Sequence, residues 1–274
     1  MIPSAFDYIR ADSADAAIAA LAEHGDEAKL LAGGHSLLPL MKLRLASPSV
    51  IVDIGRLAEL SYVTDRGDHV AIGALTRHRD VERSELLATQ VPILAHAARE
   101  VGDPQVRNRG TIGGSLAHGD GASDLPAVVL ALGGTLIARG PAGERSVAAA
   151  DFFQGFLETA LAPDELLTEV RVPKVPNAGW SYQKFNRRAM DWAIVGAAVV
   201  RNGSDCGIGL VNMSTIPLRA AASERALAGG ASVAEASSLA DDGTEPSSDI
   251  HGSSEYRRHL ARVLVRRGLE AATP

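Results

Sequence analysis

Short apolar runs alternate with alanine-rich or amphipathic stretches through the first hundred residues. "SADAAIAALAEHG" (13–25) predicts a helix: Ser13 or Asp12 caps it, its alanine interior favours the helix, and Gly25 stops it. "AKLLAGG" (28–34) follows as a short buried strand running into two glycines. "SVIVDIGRL" (49–57) is a second strand, dense in β-branched positions. "HVAIGALTRHRDVERSELL" (69–87) passes from strand to helix through Gly73, and "QVPILAHAAREVG" (90–102) is a helix between Pro92 and Gly102. This spacing is that of βαβ units and predicts α/β organisation.

Further on, "TIGGSLAHGDGASDLPAVVLALGGTLIARG" (111–140) predicts a turn, a glycine-rich loop, a helix from Asp124 to Leu132 and a strand over 135–139. Residues 151–161 read as helical, and "ELLTEVRVP" (165–173) alternates as a strand does. "PKVPNAGW" (173–180) marks a domain boundary. Three strands follow closely enough for an antiparallel meander: "SYQKFN" (181–186), "AIVGAAVVRN" (193–202) and "CGIGLVNMS" (206–214). Helices at "LRAAASERALAG" (218–229) and "SEYRRHLARVLVRRGLEAA" (254–272) flank the polar stretch "LADDGTEPSSDIHG" (239–252). The last helix sets Tyr256, Leu260, Val263, Leu264 and Leu269 near one stripe. Its arginines form either a solvated face or a contact for an acidic partner. The expected domains are 1–175, subdivided near 55–60, and 178–274.

Composition narrows the function. A chain of 274 residues with 46% hydrophobic and 22% charged positions has the material for two globular domains. A net charge of −6 and 4% aromatics argue against a nucleic-acid partner or an anionic membrane surface. No apolar segment follows the opening "MIPSAFDYIRADSADAA", and no run approaches the roughly 18 apolar residues of a membrane span, so a cytoplasmic location is expected. Cys206 is the only cysteine, which excludes an internal disulfide and a cluster held by four thiolates of this chain.

Candidate chemistry lies in two glycine loops. In "AKLLAGGHSLLPLMKLR" (28–44), Gly33 and Gly34 precede His35 and Ser36; in "RNRGTIGGSLAHGDGASDLPA" (107–127), Gly113 and Gly114 adjoin Ser115. Glycines without Cβ atoms let backbone N–H groups approach an anion, so the two loops are expected to clamp a diphosphate from two sides. Asp124 reads either as a helix-capping or first-turn acid or as an acceptor for ligand hydroxyls. Competing templates fit poorly. "GIGLVN" lacks the third glycine of a dinucleotide fingerprint, no P-loop is present, and "GGSLA" (113–117) has no acid and histidine at triad spacing. His78, His96 and His118 are isolated and form no metal set.

Through these residues, together with "KFNRRAMDWAIVGAAV" (184–199) and "IPLRA" (216–220), nearly the whole chain resembles the FAD-binding medium subunit of molybdenum hydroxylases, the carbon monoxide dehydrogenase and xanthine dehydrogenase family. The resemblance implies an α+β fold. An FAD-binding domain of the PCMH/vanillyl-alcohol-oxidase-like type, made of two α/β subdomains, precedes a smaller C-terminal domain with a three-stranded antiparallel sheet and helices. It also implies site residues. Leu30, Leu31, Ala32, Gly33, Gly34, His35, Ser36 and Leu37 form the first FAD loop, and Thr111, Ile112, Gly113, Gly114 and Ser115 the second. Asp124 bonds FAD hydroxyls, Leu167 lines the adenine or ribityl side, and Lys184 and Trp192 lie near the isoalloxazine. Trp192 also reads as an ordinary core tryptophan at a strand end. Many members carry Asn at the position of Ser115 and Tyr at that of Trp192.

By the same resemblance this chain carries no catalytic residue of its own. A large subunit oxidises substrate at a molybdenum-pterin cofactor, and a small subunit relays electrons through two [2Fe–2S] clusters. FAD on this chain passes them to a quinone or other acceptor, in a heterohexamer of two three-subunit units. Overall likeness leans to carbon monoxide as substrate; a purine or N-heterocycle dehydrogenase, a stand-alone FAD oxidoreductase, and an assembly protein without flavin are the alternatives. Any membrane association would be peripheral, at the inner face and through partners.

Overall fold

A computed structural model describes residues 2–272; residues 1 and 273–274, the outer ends of the two expected domains, lie outside it. Parallel pairing is confined to the start of the chain. β1 (Asp7–Arg10), α1 (Ala14–His24), β2 (Ala28–Leu31), α2 (Leu37–Leu43) and β3 (Val50–Asp53) build a three-stranded parallel sheet in the order β1-β3-β2. The Ser13 hydroxyl accepts the Ala16 N–H and so caps α1, which packs Ala17, Ile18 and Leu21 against Val50 and Val52.

The next residues leave the βαβ pattern. β4 (Val63–Asp65) and β5 (His69–Gly73) join an antiparallel sheet, and helices α3 (His78–Arg83), α4 (Glu85–Gln90), α5 (Pro92–Arg99), α6 (Pro104–Arg109), α7 (Ile112–His118) and α8 (Asp124–Ala131) follow. β6 (Thr135–Gly140) and β7 (Gly143–Ala148) form a hairpin. After α9 (Ala149–Phe152) and a small hairpin of β8 (Phe153–Gly155) and β9 (Glu158–Thr159), β10 (Leu166–Pro173) enters the sheet centre, giving the order β4-β5-β10-β6-β7. The helix expected over 151–161 is therefore a single turn and a hairpin. Phe152 and Phe153 are both buried with their rings edge to face, Phe153 is already extended, and Leu157 turns the chain at φ 56°.

β11 (Gly179–Phe185), β12 (Val195–Asn202) and β13 (Asp205–Val211) are the three strands of the predicted meander. A fourth, β14 (Leu218–Arg219), makes the sheet four-stranded; with two residues it is too short to leave a periodic signal. α10 (Ala221–Ala228), α11 (Val233–Ser238) and α12 (Ser254–Ala271) complete the chain. One face of the sheet takes α12 through Leu260, Leu264, Val265 and Leu269. The buried stripe of α12 differs from the expected one: it includes Arg257, whereas Tyr256 is exposed and Val263 half-buried. Arg262 and Arg266 pair with Asp241 and Glu270, as a solvated face does. The other face takes α8 at very close range. A Cβ at Gly207 or Gly209 would lie 1.9 Å from the carbonyl oxygen of Ala131 or Ala127. Among the described residues no helix is long and apolar enough to cross a membrane.

Candidate functional site

A cleft of about 680 Å³ opens between the loop before α2, the α7–α8 segment, β10, the β8–β9 hairpin and the connection from β11 to β12. Its volume falls within the roughly 300–1,000 Å³ usual for small-molecule and cofactor sites. Leu30, Ala32, Gly33, Gly34, His35, Ser36, Leu37, Thr111, Gly113, Gly114, Ser115, Asp124, Leu167, Lys184 and Trp192 all line it. Two of the expected residues do not. Leu31, half-buried at the end of β2, is not among the lining residues, and Ile112 is fully buried in the main hydrophobic core.

The two loops expected to clamp a diphosphate from two sides differ in their free amides. In the first, no backbone N–H from Gly33 through Leu37 has an acceptor among the described residues. In the second, Ile112 donates to Thr76, Gly113 to Ala74 at 2.8 Å, Gly114 to the Thr111 hydroxyl at 3.1 Å and Ser115 to the Thr111 carbonyl. From Ile112 to Ser115 the second loop has used its amides to fold, which leaves it the Thr111 N–H; the first offers a run of five. Such a run of free donors is the arrangement that binds an anion such as phosphate.

The glycines too serve the protein before any ligand. A Cβ at Gly33 would meet the Arg109 carbonyl oxygen at 2.2 Å, and one at Gly113 the Ala74 carbonyl oxygen at 2.6 Å. Both permit backbone to rest on backbone. Gly34 adopts φ 78°, a left-handed conformation that other residues rarely take. The first loop is thus seated directly on the peptide that leads into the second.

Deeper in the cleft, α8 begins with Asp124, which is buried. Its Oδ2 accepts from Lys184 Nζ at 2.9 Å and its Oδ1 from the Tyr182 hydroxyl. Lys184 also donates to the Glu100 carbonyl at 2.8 Å. Burial pushes the Asp124 carboxyl up, against the pull of Lys184 and Tyr182, and pushes the Tyr182 phenol up as well. Asp124 is a first-turn residue of the helix rather than its cap, which is Ser123. Trp192 is 60% exposed beside Met190 at the mouth, so it is not a core tryptophan.

His78 is the cleft residue that its isolation in sequence concealed. It is buried, with Nε2 3.1 Å from the Ser115 hydroxyl and Nδ1 without a partner among the described residues. Burial first, then the nearby His35, Arg77 and Arg107, push its pKa down to about 4, so the ring is neutral at pH 7. Among the described residues no group of side chains is arranged to hold a metal ion.

Cleft, free amides and buried polar floor are the features of a nucleotide-type cofactor site. Comparison with known families agrees. Residues 4–175 match the FAD binding domain in molybdopterin dehydrogenase, and residues 180–272 match the CO dehydrogenase flavoprotein C-terminal domain. The chain belongs to this family of FAD-binding oxidoreductase subunits. Among relatives, the carbon monoxide dehydrogenase medium chain of Hydrogenophaga pseudoflava is 42% identical, the alignment covering 99% of this chain and 98% of that one. The 6-hydroxypseudooxynicotine dehydrogenase complex subunit alpha of Paenarthrobacter nicotinovorans is 38% identical, covering 99% and 96%. The solved structure of the Hydrogenophaga pseudoflava enzyme lacking the Mo-pyranopterin moiety superposes with a TM-score of 0.95 at 43% identity, covering 99% of this chain and 98% of that one.

Proposed function

We propose that the chain is the flavin-carrying, electron-transferring subunit of a molybdenum hydroxylase complex. When bound, FAD supplies the redox chemistry linking the [2Fe–2S] clusters of a small subunit to a quinone or other acceptor. The observation that carries this reading is the run of free amides from Gly33 to Leu37 in a cleft of cofactor size. Those amides hold the diphosphate, with the 111–115 segment forming the opposite wall and contributing the Ser115 hydroxyl. His78 fixes that hydroxyl from behind. Leu30, Ala32, Leu37 and Leu167 provide apolar surface; Asp124 and Lys184 present a polar wall; Trp192 covers the outer end and limits water. Residues 1–175 are taken as the cofactor domain and 178–274 as its companion.

The stand-alone oxidoreductase reading loses ground because Asp124 and Lys184 are engaged with each other, which leaves neither free for substrate acid–base work. Substrate oxidation is assigned to a partner large subunit, in a heterohexamer of two three-subunit units. Higher identity to the carbon monoxide enzyme than to the 6-hydroxypseudooxynicotine enzyme favours carbon monoxide. Co-purification tests the reading: the chain should bring down a molybdenum subunit and an iron–sulfur subunit, with one FAD per copy by absorbance. A chain that retains no flavin in its complex refutes it. The purified complex, assayed with carbon monoxide and with N-heterocycles against a quinone, decides the substrate.

A further inference from the structure

The connection between β11 and β12, residues 186–194, is closed at its base where the Ile194 N–H donates to the Phe185 carbonyl at 2.7 Å. Arg188 and Asp191 brace it internally. It delivers Met190, Asp191 and Trp192 to the mouth of the cleft. An indole this exposed has little packing of its own, so the backbone that follows it sets its place.

That backbone is held from two distant parts of the chain. Asn212 Nδ2 donates to the Ala193 carbonyl at 2.8 Å and to the Ile194 carbonyl at 3.4 Å. Arg257, on α12 and with a side chain only 1% exposed, donates through Nη1 to the Ile194 carbonyl. Its Nη2 pairs with Asp249 at 2.7 Å, and its Nε has no partner among the described residues. Burying a guanidinium is unfavourable unless it is paired, and here its fork is directed at one loop carbonyl and one carboxylate. Asn212 sits at φ 61°, and its own N–H donates to the Gly121 carbonyl at 2.7 Å, which ties the same point to the segment before α8.

We infer that Asn212 and Arg257 are positioning residues for the cofactor: they hold the two carbonyls after Trp192 and so fix the indole over the outer end of the cleft. Neither residue lines the cleft. They set how tightly the flavin is covered and how slowly it leaves. This inference rests on the flavin reading of the cleft proposed above.

The test uses the assembled complex with its flavin. Asn212→Gly removes the side-chain amide at a backbone conformation that glycine accepts freely, so the fold is retained. Arg257→Lys, a second variant, keeps a charge for Asp249 but loses the fork. FAD release on dilution, read by recovery of flavin fluorescence, and the quenching of bound flavin are measured for each variant, with Trp192 present and in a Trp192→Ala background. Release should quicken roughly tenfold with Trp192 present, the scale of one or two lost hydrogen bonds, and by no more than twofold in the Trp192→Ala background. Release at the wild-type rate from Asn212→Gly overturns the inference. So does equal acceleration in both backgrounds, which would mark a general loss of stability. Absence of flavin from the wild-type complex overturns the cleft reading and the inference with it; flavin present but indifferent to Asn212→Gly overturns the inference alone.

Discussion

Removing the cationic half of the buried pair at the cleft floor is the sharpest test of its electrostatics. Lys184 and Asp124 have side chains only 5% and 7% exposed, and Nζ lies 2.9 Å from Oδ2. Lys184→Met keeps the length of the side chain but leaves the Asp124 carboxylate with the Tyr182 hydroxyl alone. Leaving one charge of a buried pair uncompensated costs about 3–5 kcal/mol. The cost is pH-dependent, and its sign follows from burial. Burial pushes the folded Asp124 carboxyl up, so the folded chain holds this proton at pH values where the unfolded chain, near pKa ~4, has released it. Stability associated with Asp124 therefore falls as pH rises from the unfolded value to the folded one, and is level above it. Lys184 opposes the upward push, so its removal moves the upper edge of that window higher. The penalty of Lys184→Met should then reach about 3–5 kcal/mol at pH 8 and shrink towards the ~1–2 kcal/mol of lost hydrogen bonds at pH 5. Urea unfolding followed by circular dichroism at the two pH values measures it, and Asp124→Asn added to Lys184→Met should recover most of the loss at pH 8. A penalty that is equal at both pH values, or no recovery in the double variant, refutes the reasoning.

The neutral histidine behaves in the opposite sense. With a folded pKa near 4 against an ordinary value of 6.5, His78 contributes stability that is present above pH ~6.5 and lost as pH falls towards 4, about 3 kcal/mol in all. His78→Gln should flatten that part of the stability profile, and an unchanged acid limb would count against the burial of the ring. At the first loop, Gly33→Ala drives a Cβ into the Arg109 carbonyl, which cannot rotate away, whereas Gly114→Ala meets only the Thr111 hydroxyl at 2.7 Å. Gly33→Ala should lower stability by about 1–3 kcal/mol and abolish FAD retention, with a smaller effect at Gly114. Thermal unfolding and flavin content check the order, and its reversal would refute the contact.

Much of the fold is legible in the chain, and what escapes has physical reasons. α1, β2, β5, α8, β10 and the three long strands of the last sheet bury one face or both, so their apolar spacing shows. β7 exposes nearly all of "GERSVA" at a sheet edge, so it leaves no such trace. α11 did leave a signal, the Ser232–Glu235 capping box, which periodicity alone passes over. For the site, glycine pairs and hydroxyls reveal where the loops are but not which amides remain free. That depends on Ala74 and Thr76 arriving as acceptors from a strand end far back in sequence. His78 and Arg257 acquire meaning only from partners 37 and 63 positions away.

The bare strand at Gly207 and Gly209 bears on how a large ligand enters. With two helix carbonyls bedded where side chains would stand, the wall that carries Asp124 is seated on the four-stranded sheet with no side chain between them at these two positions. Hinged parting of the two halves would have to tear that seam along its length. A route that spares the seam would run past the rim formed by Met190, Asp191 and Trp192.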